Sequence, residues 1–368
     1  MRILHLVNHC NHANGNAHVA VDLACVQAER GHDVAYVSAG GDYEGLLRNH
    51  GVSFGLVTLN GRNPLALLRS LIVLRRFCMT FKPDIIHAHM MASAVFGYLA
   101  SRLCRVPLVT TVHNSFDRHS VLMRLGDKVV AVSEAERKFL RGRGFGESQL
   151  AVVINGPNHS PREDYLSDKN SVDATLLHRP YVVTVCGLHR RKGVHDLLRG
   201  YAAAIQGQPE WRLCIVGEGP DRAELTKLAT DLGIGDKVEF FGAVGNPRQI
   251  LENADIFVLA SYADPCSLAV AEAREAGCAI VATAVGGTPE LLEFGKAGEL
   301  VPAGSPADIA QKLVTLMSDP ALLQTARARS KAGSEYFRVT RAAADYEAVY
   351  ASLTGVARAP EKLGLQRI

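Results

Sequence analysis

No two of the eight cysteines form a CxxC pair, and they lie scattered from Cys10 to Cys278. That spacing excludes the common zinc-ribbon and redox motifs. Most of them sit in apolar runs such as LCIV and YVVTVCG, where a free thiol acts as a small hydrophobe. No apolar run approaches the ~20 residues that span a bilayer. The first strand, RILHLV, is followed by polar residues instead of a signal-peptide h-region, so the expected location is cytoplasmic. Charge of one sign is scarce too. A net of +3 is too small to suggest nucleic-acid binding, and no pattern of stacking aromatics accompanies it. The charge is nevertheless uneven. Residues 1–157 hold seventeen Lys and Arg against eleven Asp and Glu, an excess of six; the remainder holds twenty-three against twenty-six. A basic first half favours an anionic membrane face or acidic partners.

What is present is an ordinary globular composition, 48% apolar and 21% charged over 368 residues, which suggests about two domains at ~150 residues each. Short β-branched runs alternate with helical patterns. RILHLV (2–7), HDVAYVSAG (32–40), DIIHAH, PLVTTVHN, DKVVAVS and LAVVING read as strands, and AHVAVDLACVQAERG as a helix that stops at Gly31. Runs without clean alternation suit parallel strands buried on both faces. The plan then repeats, with strands at 180–187, 211–219, 237–242, 255–261 and 279–287 and helices such as VHDLLRGYAAAIQ and PDRAELTKLATDLG between them. PNHSPREDYLSDKNSVDATLLHRP has little periodicity and reads as the connection. SEYFRVTRAAADYEAVYASLTG is an amphipathic last helix that can return to the first domain, and the tail after Gly355 reads as frayed. The expectation is α/β: two doubly wound units with ligands beyond the carboxyl ends of their strands.

Chemistry concentrates in the loops after those strands. CGLHRRKG (186–193) puts Arg190, Arg191 and Lys192 at a helix start, suited to a diphosphate or else a solvated basic turn. GEGPDRAEL adds Gly217 and Gly219 but lacks a full GxGxxG. Asp264 follows a strand, and Glu272 lies among apolar or small residues in the next helix. A buried carboxylate needs a partner; a ribose diol would satisfy it, as would Arg274 or a backbone group. His87 and His89 share one strand face, with no carboxylate or third histidine following at ligand spacing. NHCNHANGNAH carries His9, Cys10, His12 and His18 in eleven residues, which raises a metal site or a loop that only looks like one.

The order of these motifs resembles the retaining GT-B glycosyltransferases of family 4. The likeness runs through HVAVDLA, DIIHAH, TTVHN, AVSEAERKFL, VINGP, LHRRKG, IVGEGP, FFG, ADIFVLAS, the Asp264–Glu272 segment and VATAVGGTPELL. It implies two Rossmann-like domains facing across a cleft, an acceptor-side domain at 1–157 and a nucleotide-sugar domain at 178–334, with a crossover helix at roughly 335–355. It further implies that Lys192 contacts the donor diphosphate, Glu272 the ribose and Asp264 the transferred sugar. Backbone N–H groups of Cys266, Ser267 and Leu268 would bind sugar and phosphate. Gly15 would let the first loop approach the phosphate, and His113 would sit near the sugar. The base would lie against Gly217 and the loop after Phe241 and Gly242. His9, His12 and Asn14 would face the acceptor, with no metal needed and no cofactor beyond a UDP- or GDP-sugar substrate. Front-face attack with retention is implied, consistent with no second carboxylate suited to double displacement.

Four departures stand out. Gly187 replaces the usual Arg, for which Arg190 or Arg191 would substitute. Asp264 replaces the commoner Glu, Pro265-Cys266-Ser267 replaces Gly-Phe-Pro, and Asn14-Gly15 replaces a double Gly. The leading expectation is transfer to a lipid-linked or oligosaccharide acceptor in surface polysaccharide assembly. The alternatives are a GT-B nucleotide-sugar epimerase and a catalytically degenerate partner subunit. LALLRSLIVLRRFCMTFK (65–82) can lie on an anionic membrane or pack as a core helix with a basic outer face.

Overall fold

The computed structural model describes residues 1–12, 14–59, 63–166 and 179–355. Part of the expected connection, 167–178, and the tail after Gly355 lie outside them.

Thirteen strands among the described residues form two parallel sheets. The first holds β1 (Arg2–Leu6), β2 (Asp33–Ser38), β3 (Ser53–Leu56), β4 (Ile85–Ala88), β5 (Leu108–Val112), β6 (Lys128–Ala131) and β7 (Leu150–Val152). The second holds β8 (Tyr181–Val185), β9 (Arg212–Val216), β10 (Val238–Gly242), β11 (Ile256–Leu259), β12 (Ala279–Thr283) and β13 (Glu299–Val301). Their orders are β3-β2-β1-β4-β5-β6-β7 and β10-β9-β8-β11-β12-β13. Both sheets reverse direction of winding once, between β1 and β4 and between β8 and β11. Such reversals leave a crevice at the carboxyl edge where ligands bind. The central strands β4, β5, β11 and β12 are buried at every residue, which explains the missing alternation in their sequences.

β3 and β13 were not among the expected strands. Both are short edge strands, and β3 is only partly covered, so neither carries a strong apolar signature.

The last helical segment breaks in two. A 3-10 turn covers Ser334–Phe337, and the helix proper runs Val339–Thr354 with Arg338 as its extended N-cap. It does return to the first sheet: Val339, Ala343, Tyr346 and Tyr350 join Ile3, Ile85, Val109 and Val130 in one apolar cluster. Burying each of its Val and Ile side chains contributes roughly 1.5–3 kcal/mol. A bidentate contact from Arg30 to Glu347 (2.8 and 2.9 Å) adds a charged tie to the first long helix, α1 (Gly15–Glu29), and its C-cap. All eight cysteines are free, six of them buried.

Candidate functional site

The loops after β1, β8 and β11 meet in a cavity of about 390 Å³ between the two sheets. One wall is Gly15, Asn16, His18, His113 and Asn114; the other is Arg191, Lys192, Gly217, Asp264, Cys266, Ser267, Leu268 and Glu272. Gly15 reaches across: a Cβ built on it would touch Leu268 Cδ1 at 3.5 Å.

The loop after β8 tightens into a 3-10 turn, Arg190–Lys192, closed by Gly193 at φ 64°. A side chain at Gly193 would lie 1.9 Å from the Ala260 carbonyl, so only glycine lets this turn dock on the end of β11. The docking sets Lys192 Nζ 2.6 Å from Asp264 Oδ2, in a pair whose side chains are 17% and 7% exposed. Gly217 makes the same kind of approach: at φ 136°, its Cβ would meet Cys186 O at 1.9 Å.

After Asp264 the chain enters the helix Leu268–Ala276, capped by Ser267, whose Oγ accepts from Val270 N–H at 3.4 Å. Cys266, Ser267 and Leu268 line the cavity, so the free N–H end of this helix faces it and favours an anion there. Glu272, one turn further on, also lines the cavity. Burial raises its carboxyl to about 7; Arg162 opposes the rise, and Asp22, Glu163 and Glu275 add to it. Arg274, offered as its alternative partner, turns the other way, to the carbonyls of Ser330, Leu291 and Ala332 and to Glu293. Glu272 therefore makes no hydrogen bond or ion pair among the described residues.

Several expected residues sit elsewhere. Arg190 points outward, 68% exposed and 3.0 Å from Glu224. Arg191 is the residue that faces the cavity, anchored by donation to Ala263 O (2.7 Å) and lying 4.5 Å over the Phe116 ring of the opposite wall. Gly242 stands behind the lining, its carbonyl accepting from Gly217 N–H at 2.7 Å, while Ala243, Val244 and Gly245 form the wall. None of His9, His12 and Asn14 borders the cavity. Asn14 is the N-cap of α1, accepting from Asn16 and Ala17 N–H. His12 pairs with Asp42 at 2.6 Å, a carboxylate that the loop after β2 brings from thirty residues away. His9 stays within its own loop, accepting from Asn11 N–H at 3.3 Å.

Other residues reach the cavity without having been singled out for it. His18 faces it from the first turn of α1, and Asn155 from the loop after β7; His18 Nε2 and Asn155 Oδ1 are buried with no hydrogen-bond partner among the described residues. Leaving such atoms unsatisfied costs about 1–3 kcal/mol each, which a polar ligand would recover. Arg162 also lines the cavity, locked by two bonds to Asp22 of α1 (2.7 and 2.9 Å) with Ser160 Oγ on the same carboxylate at 2.6 Å. No local pattern signals that pair, because its members lie 140 positions apart.

A second cavity of about 320 Å³ adjoins the first through Asn16, His113 and Asn114. Asn8, His89, Met90, Met91, Thr111, Asp117 and His119 contribute to its wall, which includes no Lys or Arg among the described residues. His113 thus stands between the two spaces.

Residues 13–160 match Glycosyltransferase Family 4, and residues 169–335 match Glycosyl transferases group 1. The chain belongs to the GT-B glycosyltransferases of family 4 type. Among its relatives is the N-acetyl-alpha-D-glucosaminyl L-malate synthase of Bacillus anthracis, 24% identical over 91% of this chain and 93% of that one. Another is the D-inositol 3-phosphate glycosyltransferase 1 of Catenulispora acidiphila, 28% identical over 73% and 72%. The crystal structure of Anabaena HepE in complex with UDP-glucose shares the fold, with a TM-score of 0.81 and 23% identity over 96% of this chain and 100% of that one. As a GT-B glycosyltransferase the molecule is α/β, and no helix among its described residues is long and apolar enough to cross a membrane.

Proposed function

We propose that this glycosyltransferase moves a sugar from a nucleotide-diphosphate donor, UDP- or GDP-linked, with retention of configuration, to an oligosaccharide or lipid-linked acceptor in surface glycan assembly. One observation carries the donor half. A single cavity brings together the cations Arg191 and Lys192, the N-terminus of the helix Leu268–Ala276, and the unpartnered carboxylate of Glu272. The first two suit a diphosphate and the third a ribose diol. Stabilising the departing diphosphate and positioning the acceptor are then the main sources of rate. In this reading Asp264, 2.6 Å from Lys192, contacts the hydroxyls of the sugar.

The acceptor half rests on the second cavity. Malate and inositol phosphate, named in the relatives, are anionic; a wall without Lys or Arg favours an uncharged, hydroxylated acceptor instead. Peripheral contact with an anionic membrane is part of the same reading. The helix Pro64–Phe81 buries only Leu74 and Cys78 and leaves Leu65, Leu68, Ile72, Val73 and Met79 exposed beside Arg69, Arg75 and Arg76. Its inner face packs Leu67, Leu71, Leu74, Phe77, Cys78 and Phe81 against the apolar core of the first sheet, so the core-packed alternative holds for that face and the membrane reading concerns the outer one.

A thermal-shift panel of UDP-, GDP-, ADP- and dTDP-sugars tests the donor. A ligand held at about one hundred times its Kd stabilises by about 2.7 kcal/mol, so one base should stand out. No shift with any of them would sink the reading, and an inverted anomer in the product would remove retention.

A further inference from the structure

Four histidines run through the first sheet to the cleft, and the transfer reading gives a role only to the last. His5 lies on β1 and His87 beside it on β4, in register; His89 and His113 follow the ends of β4 and β5. His5 Nε2 is 2.9 Å from Gln27 Oε1, His5 Nδ1 is 3.0 Å from His89 Nε2, and His89 Nδ1 is 3.2 Å from His113 Nε2. A side branch completes the array. Gln27 Nε2 donates to the Tyr350 hydroxyl at 3.4 Å, and His87 spans Tyr350 and Thr111 at 2.7 Å each.

His5, His87 and His89 approach one another closely enough to suggest a metal centre. Their hydrogen bonds argue for something else. All six ring nitrogens are already engaged, two by the Tyr350 and Thr111 hydroxyls, one by the Gln27 amide, and the others by neighbouring rings. A metal would have to break several of these bonds at once. Burial also keeps the rings uncharged: it pushes His5 and His113 down to about 4, and His87 and His89 well below their usual value.

A neutral imidazole has one donor nitrogen and one acceptor nitrogen. Each link in the row therefore dictates the next. Gln27 sets the sense, since its amide nitrogen faces Tyr350 and its oxygen must accept from His5 Nε2–H. His5 Nδ1 then accepts from His89 Nε2–H, and His89 Nδ1 accepts from His113 Nε2–H. What remains is His113 Nδ1, bare, on a ring that borders both cavities and makes no other hydrogen bond among the described residues.

We infer that the Gln27–His5–His89 row is a tautomer lock, holding His113 with its proton on Nε2 so that Nδ1 accepts a hydrogen bond from a substrate hydroxyl. The substrate clause rests on the transfer reading above; the lock itself does not. Gln27, His5 and His89 are positioning residues in this arrangement, and the crossover helix takes part through Tyr350.

Ring-15N histidine labelling tests the lock in the resting protein, with His113 assigned by the signal lost in His113→Asn. Protonated Nε2 and bare Nδ1 at His5, His89 and His113 are expected. A proton on Nδ1 of His113, or an average of both forms, overturns the lock, whether or not any donor is ever found. Kinetics test its consequence. Gln27→Met should lower kcat about tenfold, the worth of one misdirected hydrogen bond, with donor KM unchanged. In the His113→Asn background the same substitution should do nothing more. A full additional loss there would show that Gln27 acts on the fold and not through His113. Absence of any transfer activity counts against the functional reading alone, because the ring spectrum still decides the lock.

Discussion

The Lys192 ammonium donates to the Asp264 carboxylate across 2.6 Å, joining the turn after β8 to the loop after β11. Both residues belong to the proposed donor site, and their charges satisfy each other. Removing one partner of a buried pair costs about 3–5 kcal/mol, because the other charge is left uncompensated. Lys192→Ala should therefore lose both transfer and stability. Lys192→Met combined with Asp264→Leu should recover most of the stability in urea unfolding and none of the activity. Recovery of activity in the double variant would remove both residues from the site.

Glu272 should make donor binding depend on pH. Its carboxyl is raised to about 7, chiefly by burial. The ionised form, the one that accepts from two ribose hydroxyls, therefore fills in as pH rises through 7. Affinity for the nucleotide should increase about tenfold from pH 6 to pH 8 by proton linkage, and Glu272→Gln should be flat. The sign for stability is opposite: a group raised in the fold contributes fully below its unfolded value and loses that contribution as pH climbs toward 7. Asp22→Asn removes one of the charges that raise Glu272, so the midpoint of the affinity curve should move down. Calorimetric titration across that range measures all three.

The difference between what the sequence announced and what it hid follows from distance along the chain. Doubly buried strands such as β4 and β11 show as apolar runs because every residue faces a core, whereas the edge strands β3 and β13 do not. Lys192, Asp264 and Glu272 were legible because each sits in one loop or helix turn whose local pattern isolates it. Arg190 and Arg191 were indistinguishable in a run of three cations; only the fold decides which one faces Phe116. His12 seemed without a carboxylate, and His87 without a third histidine, for one reason: Asp42 reaches the first from the loop after β2, and His5 the second from the neighbouring strand β1. The Arg162–Asp22 pair and the histidine row are assembled from separate elements, so no window of sequence contains them.

The helix Pro64–Phe81 gives a membrane test with two separable parts. Leu65 and Leu68 are 68% and 54% exposed, an apolar face that water does not favour, and the arginines beside them suit anionic headgroups. The protein should float with anionic vesicles and not with neutral ones. Leu68→Gln with Ile72→Gln should abolish flotation at any salt. Arg75→Gln with Arg76→Gln should weaken it most at low ionic strength, because screening already removes that part at high salt. Neither pair touches the donor cavity, so transfer to a soluble acceptor should be unchanged. No flotation of the wild-type chain would end the membrane reading.

Gly187 leaves the donor side one cation short of the pattern the resemblance implies, and Arg191 is the neighbour we propose to compensate. A side chain at 187 would press on the His189 ring, with its Cβ 2.5 Å from Nε2, so restoring Arg there requires His189 to move. Arg191 has the access that Arg190 lacks: it lines the cavity, while Arg190 is committed to Glu224 at the surface. A charge-assisted contact to phosphate is worth about 1.5–3 kcal/mol. Arg191→Gln should accordingly weaken nucleotide binding about tenfold to a hundredfold, with Arg190→Gln near wild type. Equal losses in the two variants would mean that the cluster acts only through its summed field, and a loss confined to Arg190→Gln would reverse the assignment. Arg191→Lys distinguishes charge from geometry: a lysine keeps the charge but not the planar guanidinium that lies over Phe116 while donating to Ala263 O. It should fall between the wild type and the glutamine variant.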